Sequence, residues 1–504
     1  MLTEYVERIL KARVYDVAIE TPLDLMPRLS KRLNNTLLLK REDLQPVFSF
    51  KLRGAYNRMT HLTDSERQQG VVAASAGNHA QGVALSAKKM GISALIVMPK
   101  TTPAIKIDAV KAFGADIVLH GNSYDDACSH ALDLAQQQGR VFIHPYDDAE
   151  VIAGQGTIAM EILRQHPDPI HAVFVPVGGG GLIAGIAAYI KAFWPEIKVI
   201  GVESVDAACL KAALENDERI VLEQVGLFAD GTAVRQIGEE PFRILRDAVD
   251  EVITVDSDEL CAAIMDIFDD TRSIAEPSGA LAVAGAKKYI SREAISNEHL
   301  VVIDSGANIN FDRLRHVAER AELGERREVL FSTRIDEQPG SFQQFCQTLG
   351  DRGITEFNYR YADNTDAHVF VGVRINGGND ESETLFASLD EQGYQWTDFS
   401  DNEMAKLHVR YMVGGHAPQV ENERLYRFEF PERPGALLRF LTRMGQRWNI
   451  SLFHYRNHGA AYGRVLVGVQ VDNNEQNDFH QFLDELGYNY WQETDNPAYE
   501  LFLK

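Results

Sequence analysis

The sequence predicts an α/β chain, with mostly parallel sheets over residues 1–320 followed by two ferredoxin-like α+β modules at 329–400 and 424–494. Two observations predict it. Through residue 320, short apolar runs at 71–74, 94–98, 117–119, 141–143, 172–177 and 199–202 alternate with stretches of helical periodicity. That alternation builds βαβ units, because consecutive parallel strands need a crossover long enough to hold a helix. Beyond residue 328 the chain repeats itself at a spacing of about 95 residues, as duplicated units do.

The first copy comprises 329–335, Gln338-Pro339-Gly340, 342–349, Phe357-Asn358-Tyr359-Arg360 and Val369-Phe370-Val371-Gly372-Val373. The second comprises 425–430, Arg433-Pro434-Gly435, 437–444, Phe453-His454-Tyr455-Arg456 and Val465-Leu466-Val467-Gly468-Val469. Each continues into a helix that ends at Gly393-Tyr394 or Gly487-Tyr488. The order strand, helix, two strands, helix, strand is the split βαβ pattern. Small and apolar residues occupy both faces at 465–469, which predicts a sheet covered on both sides. The charged, helical stretch 312–328 reads as a connector, and 401–423, with Gly414-Gly415 and Pro418, as a linker between the modules.

Composition narrows the classes. A formal net charge of -23 without a dense basic run argues against nucleic acid as a partner, and 45% hydrophobic residues supply large cores. Cys128, Cys209, Cys261 and Cys346 lack the paired spacing of a zinc site or redox dithiol and read as reduced, structural thiols. Residues 1–10 carry Glu4, Glu7 and Arg8 and no continuous signal core. The uncharged run 173–190 has the length of a membrane span, but Pro176 and four glycines divide it into strand, loop and helix. A cytoplasmic protein with no membrane partner is expected.

In chain order, the first stretch that carries chemistry is Ser49-Phe50-Lys51-Leu52-Arg53-Gly54. Phe48 and Phe50 flank Lys51, and a helix is expected over 52–59. A lysine held against aromatic surface loses hydration, so its neutral amine becomes a nucleophile able to form an imine with an aldehyde. The second stretch is Ser75-Ala76-Gly77-Asn78-His79, between a strand at 71–74 and a helix at 80–90. Its hydroxyl, amide and backbone donors suit a carboxylate; the competing reading of Ser75 and Asn78 is helix capping. His79 reads as structural. The third is Gly178-Gly179-Gly180-Gly181-Leu182, between a strand at 172–177 and a helix at 183–193, where bare backbone and a helix N-terminus suit a phosphate. The fourth is Ser305 in Ser305-Gly306-Ala307-Asn308, at the end of an apolar run, where open α/β sheets place their ligands. A nucleophilic lysine, a phosphate cradle, a partner for a ring nitrogen and an anion pocket are what a pyridoxal 5'-phosphate site requires.

Through these four motifs, in this order, the chain resembles the fold type II pyridoxal-phosphate enzymes and, within them, the threonine dehydratases. The resemblance spans most of the first three hundred residues, and the lysine motif together with the tetraglycine loop is highly specific. It implies a two-lobed catalytic domain with the cofactor in the cleft. It implies that Lys51 holds the cofactor and moves the Cα proton, and that Ser305 is the neutral partner of the pyridine nitrogen, favouring β-elimination over transamination. Phe50 packs near the ring, Asn78 meets the ring oxygen, Gly178, Gly179, Gly180, Gly181 and Leu182 hold the phosphate, and Ser75 with Gly77 receives the substrate carboxylate. The reaction implied is dehydration and deamination of L-threonine, with L-serine as a second substrate, to 2-oxo acid and ammonia. The cofactor phosphate is the implied general acid. The C-terminal modules resemble the ACT-like pair of biosynthetic threonine dehydratases, which implies isoleucine and valine as effectors and a homotetramer.

Further stretches match the family: His144-Pro145-Tyr146-Asp147-Asp148, Gly154-Gln155-Gly156-Thr157, Ala229-Asp230-Gly231-Thr232-Ala233-Val234 and Ala275-Glu276-Pro277-Ser278-Gly279. Most of them read as tight turns and helix caps. Relatives that racemise serine bind a divalent ion through two acids; Glu203 matches the first, but Ala208 and Cys209 stand where the second is expected, so no divalent metal is predicted. Another fold type II enzyme acting on serine is the first alternative, which the duplicated C-terminal modules disfavour; two others stand. Gly179-x-Gly181-x-x-Ala184 with Glu203 at the next strand's end satisfies a dinucleotide fingerprint and would make a nicotinamide dehydrogenase, leaving Lys51 and Ser305 unexplained. A catalytically inactive amino-acid sensor is the other, opposed by the intact lysine, glycine loop and serine.

Overall fold

Alternating apolar runs and helices build two parallel sheets in the first of two structural units, Met1–Ala321; the second is Glu322–Lys504. The structure, a computed structural model, describes residues 2–311, 313–336, 338–350, 352–361, 366–375, 379–412, 414–431, 436–444, 447–456, 462–497, 499 and 503. The first unit contains β1 (Leu23–Leu25), β2 (Thr36–Arg41), β3 (Val71–Ala74), β4 (Ala94–Met98), β5 (Asp116–Leu119), β6 (Val141–Phe142), β7 (Ala172–Pro176), β8 (Lys198–Ser204), β9 (Glu251–Val255) and β10 (His299–Asp304). The larger sheet runs β1-β2-β10-β7-β8-β9, parallel except for β1, and the smaller runs β5-β4-β3-β6, all parallel.

Both faces of the larger sheet are covered, which is why its strands read as continuous apolar runs. Val173, Val175, Val301 and Ile303 point into one core, and Phe174, Val202, Leu300 and Val302 into the other, as a period of two dictates. β2 escapes a periodicity reading because it ends in Lys40 and Arg41, both buried here by pairing with acids rather than by apolar character. Gly154-Gln155-Gly156-Thr157 departs from the tight-turn expectation. It lies inside the helix Ala149–Gln165, where a Cβ on Gly154 would sit 2.7 Å from Gly54 Cα, so these glycines serve close helix approach. The run 173–190 is divided as expected, and among the described residues no helix is long and apolar enough to cross a membrane.

The second unit is one eight-stranded antiparallel sheet built twice over. β11 (Glu328–Asp336), β12 (Ile354–Arg360), β13 (Asp366–Arg374) and β14 (Gln395–Asp398) form one half; β15 (Glu423–Pro431), β16 (Asn449–Arg456), β17 (Tyr462–Gln470) and β18 (Asn489–Gln492) form the other. The order β14-β11-β13-β12-β16-β17-β15-β18 joins the halves through β12 and β16. There Asn358 lies opposite His454, its own counterpart in the repeat, the signature of a local two-fold axis. Even the register irregularity recurs, at Ile354/Glu356 and at Ile450/Leu452. A buried carboxylate occupies the same position in each half: Glu328 accepts from Thr355 and Arg410, and Glu423 from Ser451 and Arg360. The linker 401–423 packs its Ala405 and Val409 with Leu330 and Phe370, while Tyr499 packs with Leu425 and Leu452, so each half has a second covered face. Arg433-Pro434-Gly435 lies outside the described residues.

Candidate active site

Parallel neighbours β7 and β10 deliver two of the four motifs to one edge of the larger sheet: the glycine turn follows β7 and Ser305 follows β10. Ser75 follows β3 of the smaller sheet. Lys51 reaches the same place through a short bridge, in which Ser49 pairs with Gly306, Phe50 N–H donates to Ser305 O at 3.3 Å and Ala307 N–H donates to Phe48 O at 2.9 Å. Phe48 adopts a left-handed φ of 55°, which turns its ring outward to 56% exposure. Desolvation by two aromatics therefore reduces to one: Phe50 is buried, with its ring centroid 5.2 Å from Lys51 Nζ.

Lys51 opens the helix Lys51–Thr60, and its Nζ donates to Pro145 O at 3.3 Å. Burial pushes its ammonium down to about 8, partly opposed by the negative charge of Glu276. At pH 7.5 that leaves roughly one molecule in four with a neutral amine, against about one in a thousand at the ordinary value. Behind it on the same helix, Arg53 is fully buried. Its guanidinium donates to Glu42 at 2.8 Å and to Glu161 at 2.6 Å, and Lys40 Nζ donates to Glu161 at 2.6 Å. Two cations and two carboxylates thus fix the helix that carries Lys51.

The glycine turn fits a phosphate closely. Gly180 takes φ 91°, and Gly181 begins the helix Gly181–Phe193. A Cβ on Gly179 would lie 2.3 Å from the Tyr146 ring, and one on Gly178 would lie 3.0 Å from Thr232 Cα, so the walls leave room only for backbone. Leu182 is buried in the core, leaving its N–H in the first helical turn. Ser49 Oγ and Ser278 Oγ are buried with no hydrogen-bond partner among the described residues, as expected of groups that face a polar ligand.

Ser305 is buried, and its Oγ donates to Ser278 O at 3.3 Å. Ser75 Oγ accepts from Gly77 N–H at 3.2 Å, and Gly77 precedes the helix Asn78–Met90 with open space where a Cβ would stand. Asn78 is more committed than the sequence suggests. Its Nδ2 donates to Glu276 Oε1 at 2.7 Å, and its Oδ1 accepts from Asn308 Nδ2 at 2.6 Å. Glu276, read from sequence as a turn or cap residue, makes no side-chain cap. Instead it sits in the site with its carboxyl pushed up to about 7 by burial and by the charge of Asp230. Asp230 is itself paired with Lys106 at 2.7 Å. The only sequence signal for Glu276 was its family-matching stretch, since a glutamate before proline and serine looks like any helix start.

The model of the pyridoxal-phosphate dependent enzymes matches residues 14–306, and that of the C-terminal regulatory domain of threonine dehydratase matches 319–409 and 414–503. The chain is 58% identical over 503 residues to the biosynthetic L-threonine dehydratase IlvA of Burkholderia multivorans, covering 99% of both chains. It is 55% identical to that of Escherichia coli over 99% of this chain and 97% of the relative. The chain belongs to the threonine dehydratase family. The processed form of threonine deaminase isoform 2 from Solanum lycopersicum superposes with a TM-score of 0.63 at 52% identity, over 64% of this chain and 93% of that one. Maize serine racemase superposes at 0.57 and 32% identity, over 63% and 95%.

Pyridoxal phosphate is the cofactor of this family, and the cradle, the desolvated lysine and the orphaned hydroxyls suit it. Family membership removes the dehydrogenase reading, and the geometry explains why the fingerprint misleads. Glu203 is fully buried, accepting the N–H groups of Leu210 and Lys211 at 2.8 and 2.9 Å, so its carboxylate caps the helix Cys209–Asn216. Cys209 donates its thiol to Gly178 O at 3.3 Å. His79 is buried, with Nε2 2.8 Å from Ile143 O, and burial with the nearby Lys51 charge pushes it down to about 3, a neutral structural ring.

Proposed function

We propose that this threonine dehydratase family member, using pyridoxal phosphate, converts L-threonine to 2-oxobutanoate and ammonia in isoleucine biosynthesis, with L-serine as a second substrate. The observation that carries the reading is the depressed Lys51 amine held beside a backbone-only phosphate cradle and the neutral Ser305.

When bound, pyridoxal phosphate supplies an aldehyde for amines and an electron-accepting ring. Gly178, Gly179, Gly180, Gly181 and Leu182 would hold its phosphate, Lys51 its aldehyde, Ser305 its ring nitrogen, and Phe50 and Asn78 its ring. Ser75 and Gly77 receive the substrate carboxylate at the N-terminus of the helix Asn78–Met90. Lys51 Nζ takes the proton from the substrate Cα, which a surface lysine, neutral in only about one molecule in a thousand, would do poorly. Ser305 contributes no charge, so negative charge that builds at Cα is relieved by loss of the β-hydroxyl.

Domains are assigned as catalytic over 1–320 and ACT-like over 329–400 and 424–494. The paired modules receive isoleucine as inhibitor and valine as its opponent, in a cytoplasmic homotetramer. The test is threonine-dependent release of keto acid and ammonia, with and without isoleucine. Turnover suppressed by isoleucine and restored by valine is expected; nicotinamide-dependent turnover, or none with threonine, would overturn the reading.

A further inference from the structure

At the start of β10, opposite the end that leads to Ser305 and about 20 Å from it at ~3.3 Å per residue, two imidazoles meet. His166 Nε2 lies 2.9 Å from His299 Nδ1. Asp168 completes the group, and one ligand atom from each residue lies within 4.8 Å of the other two. Each is held by backbone. His299 is the first residue of β10 and its carbonyl accepts from His171 N–H at 2.8 Å, while His166 follows the helix Ala149–Gln165 and its N–H donates to Ile162 O at 3.0 Å. Asp168 stands between Pro167 and Pro169, whose rings restrict the local chain. The negative end of a 17-residue helix dipole also points here and favours positive charge. The histidines are half-buried and Asp168 is exposed, which leaves an entry path.

We infer that His166, Asp168 and His299 bind a divalent transition metal of the zinc class, clamping the end of the helix Ala149–Gln165 to the start of β10. Two imidazole nitrogens and one carboxylate are borderline donors that suit Zn²⁺, whereas Mg²⁺ and Ca²⁺ require six or more oxygens. Bonds of about 2.0–2.2 Å place tetrahedral ligands roughly 3.3 Å apart, a spacing this group reaches with small side-chain movements. The fourth position is open to water. A shared proton would account for the two rings but would leave Asp168 without a part.

The test is calorimetric titration of metal-stripped, cofactor-loaded full-length protein with ZnCl₂, and with MgCl₂ for comparison. One Zn²⁺ per chain is expected, with that site lost in His166→Gln and His299→Gln and no response to Mg²⁺. In Asp168→Asn, whose exposed position makes it safe for folding, Zn²⁺ affinity should fall by at least the roughly 10–100-fold that loss of an outer-shell partner costs. Zn²⁺ should raise the thermal unfolding midpoint of the wild type and not of the histidine variants. No binding, or binding unchanged in Asp168→Asn and the histidine variants, would mean a hydrogen-bonded histidine pair only.

Discussion

Arg53 and Glu276 are buried on two sides of the same reactive lysine, in unlike surroundings. Arg53 has Glu42 and Glu161 within hydrogen-bond distance, and Lys40 supplies the second cation, so the four groups balance. Glu276 receives an amide hydrogen bond from Asn78 and, among the described residues, has no ion-pair partner. Burial lowers the Arg53 guanidinium, but the two carboxylates outweigh it and hold the charge above its usual range. Burial of Glu276, reinforced by the charge of Asp230, outweighs the hydrogen bond from Asn78 and the charge of Lys106, and its carboxyl rises to about 7. Pairing thus favours the charged forms of Arg53 and Glu161 and keeps a helix in place, whereas the unpaired acid can change protonation near neutral pH beside the chemistry.

The largest break would come at the lysine between them. Lys51→Ala should reduce threonine turnover by about 10⁴-fold or more and abolish the visible band of covalently held cofactor, measured in the purified enzyme. Normal turnover there would separate both clusters from catalysis. Next comes Arg53→Met, which leaves two buried carboxylates facing Lys40 alone. It should cost ~3–5 kcal/mol in urea unfolding; a loss below about 1 kcal/mol would show that the quartet is not the clamp it looks.

Glu276→Gln sharpens the contrast through pH. Because the folded carboxyl titrates near 7 instead of 4.5, Glu276 contributes stability that is fully present below the unfolded value and lost as pH rises through about 7. The amide variant should lack that decline, an effect of a few kcal/mol at most, and the limb of kcat/KM near neutrality should shift or vanish. Identical pH profiles would place Glu276 outside the reaction. The smallest effect is expected from Ser305→Asp, which adds a second unpaired carboxyl near the first. Elimination should slow about tenfold, the equivalent of one hydrogen bond, and unchanged rates would remove Ser305 as the ring partner.

Much of the architecture was legible without coordinates, because it depends on local periodicity and on backbone freedom. Fully covered strands read as apolar runs, the duplicated unit announced itself through its repeated Phe-x-Tyr-Arg strands, and four consecutive glycines have few uses other than a close approach to backbone. The intervening linker was visible through Gly414-Gly415 and Pro418, but its role in covering the second sheet face was not.

What the amino-acid order determined by itself was which residues are chemically unusual: Lys51 beside Phe50, the glycine turn, and Ser305 after its strand. Only the tertiary structure decided what surrounds them. Phe48 faces outward because of one left-handed residue, Glu276 meets Asn78 across 198 positions, and the charges of β2 are buried because Glu161 lies 121 positions away from Lys40. The physical reason is that a side chain's composition sets what it can do, while its hydration and its neighbours' charge, which depend on chain segments remote in sequence, set its pKa.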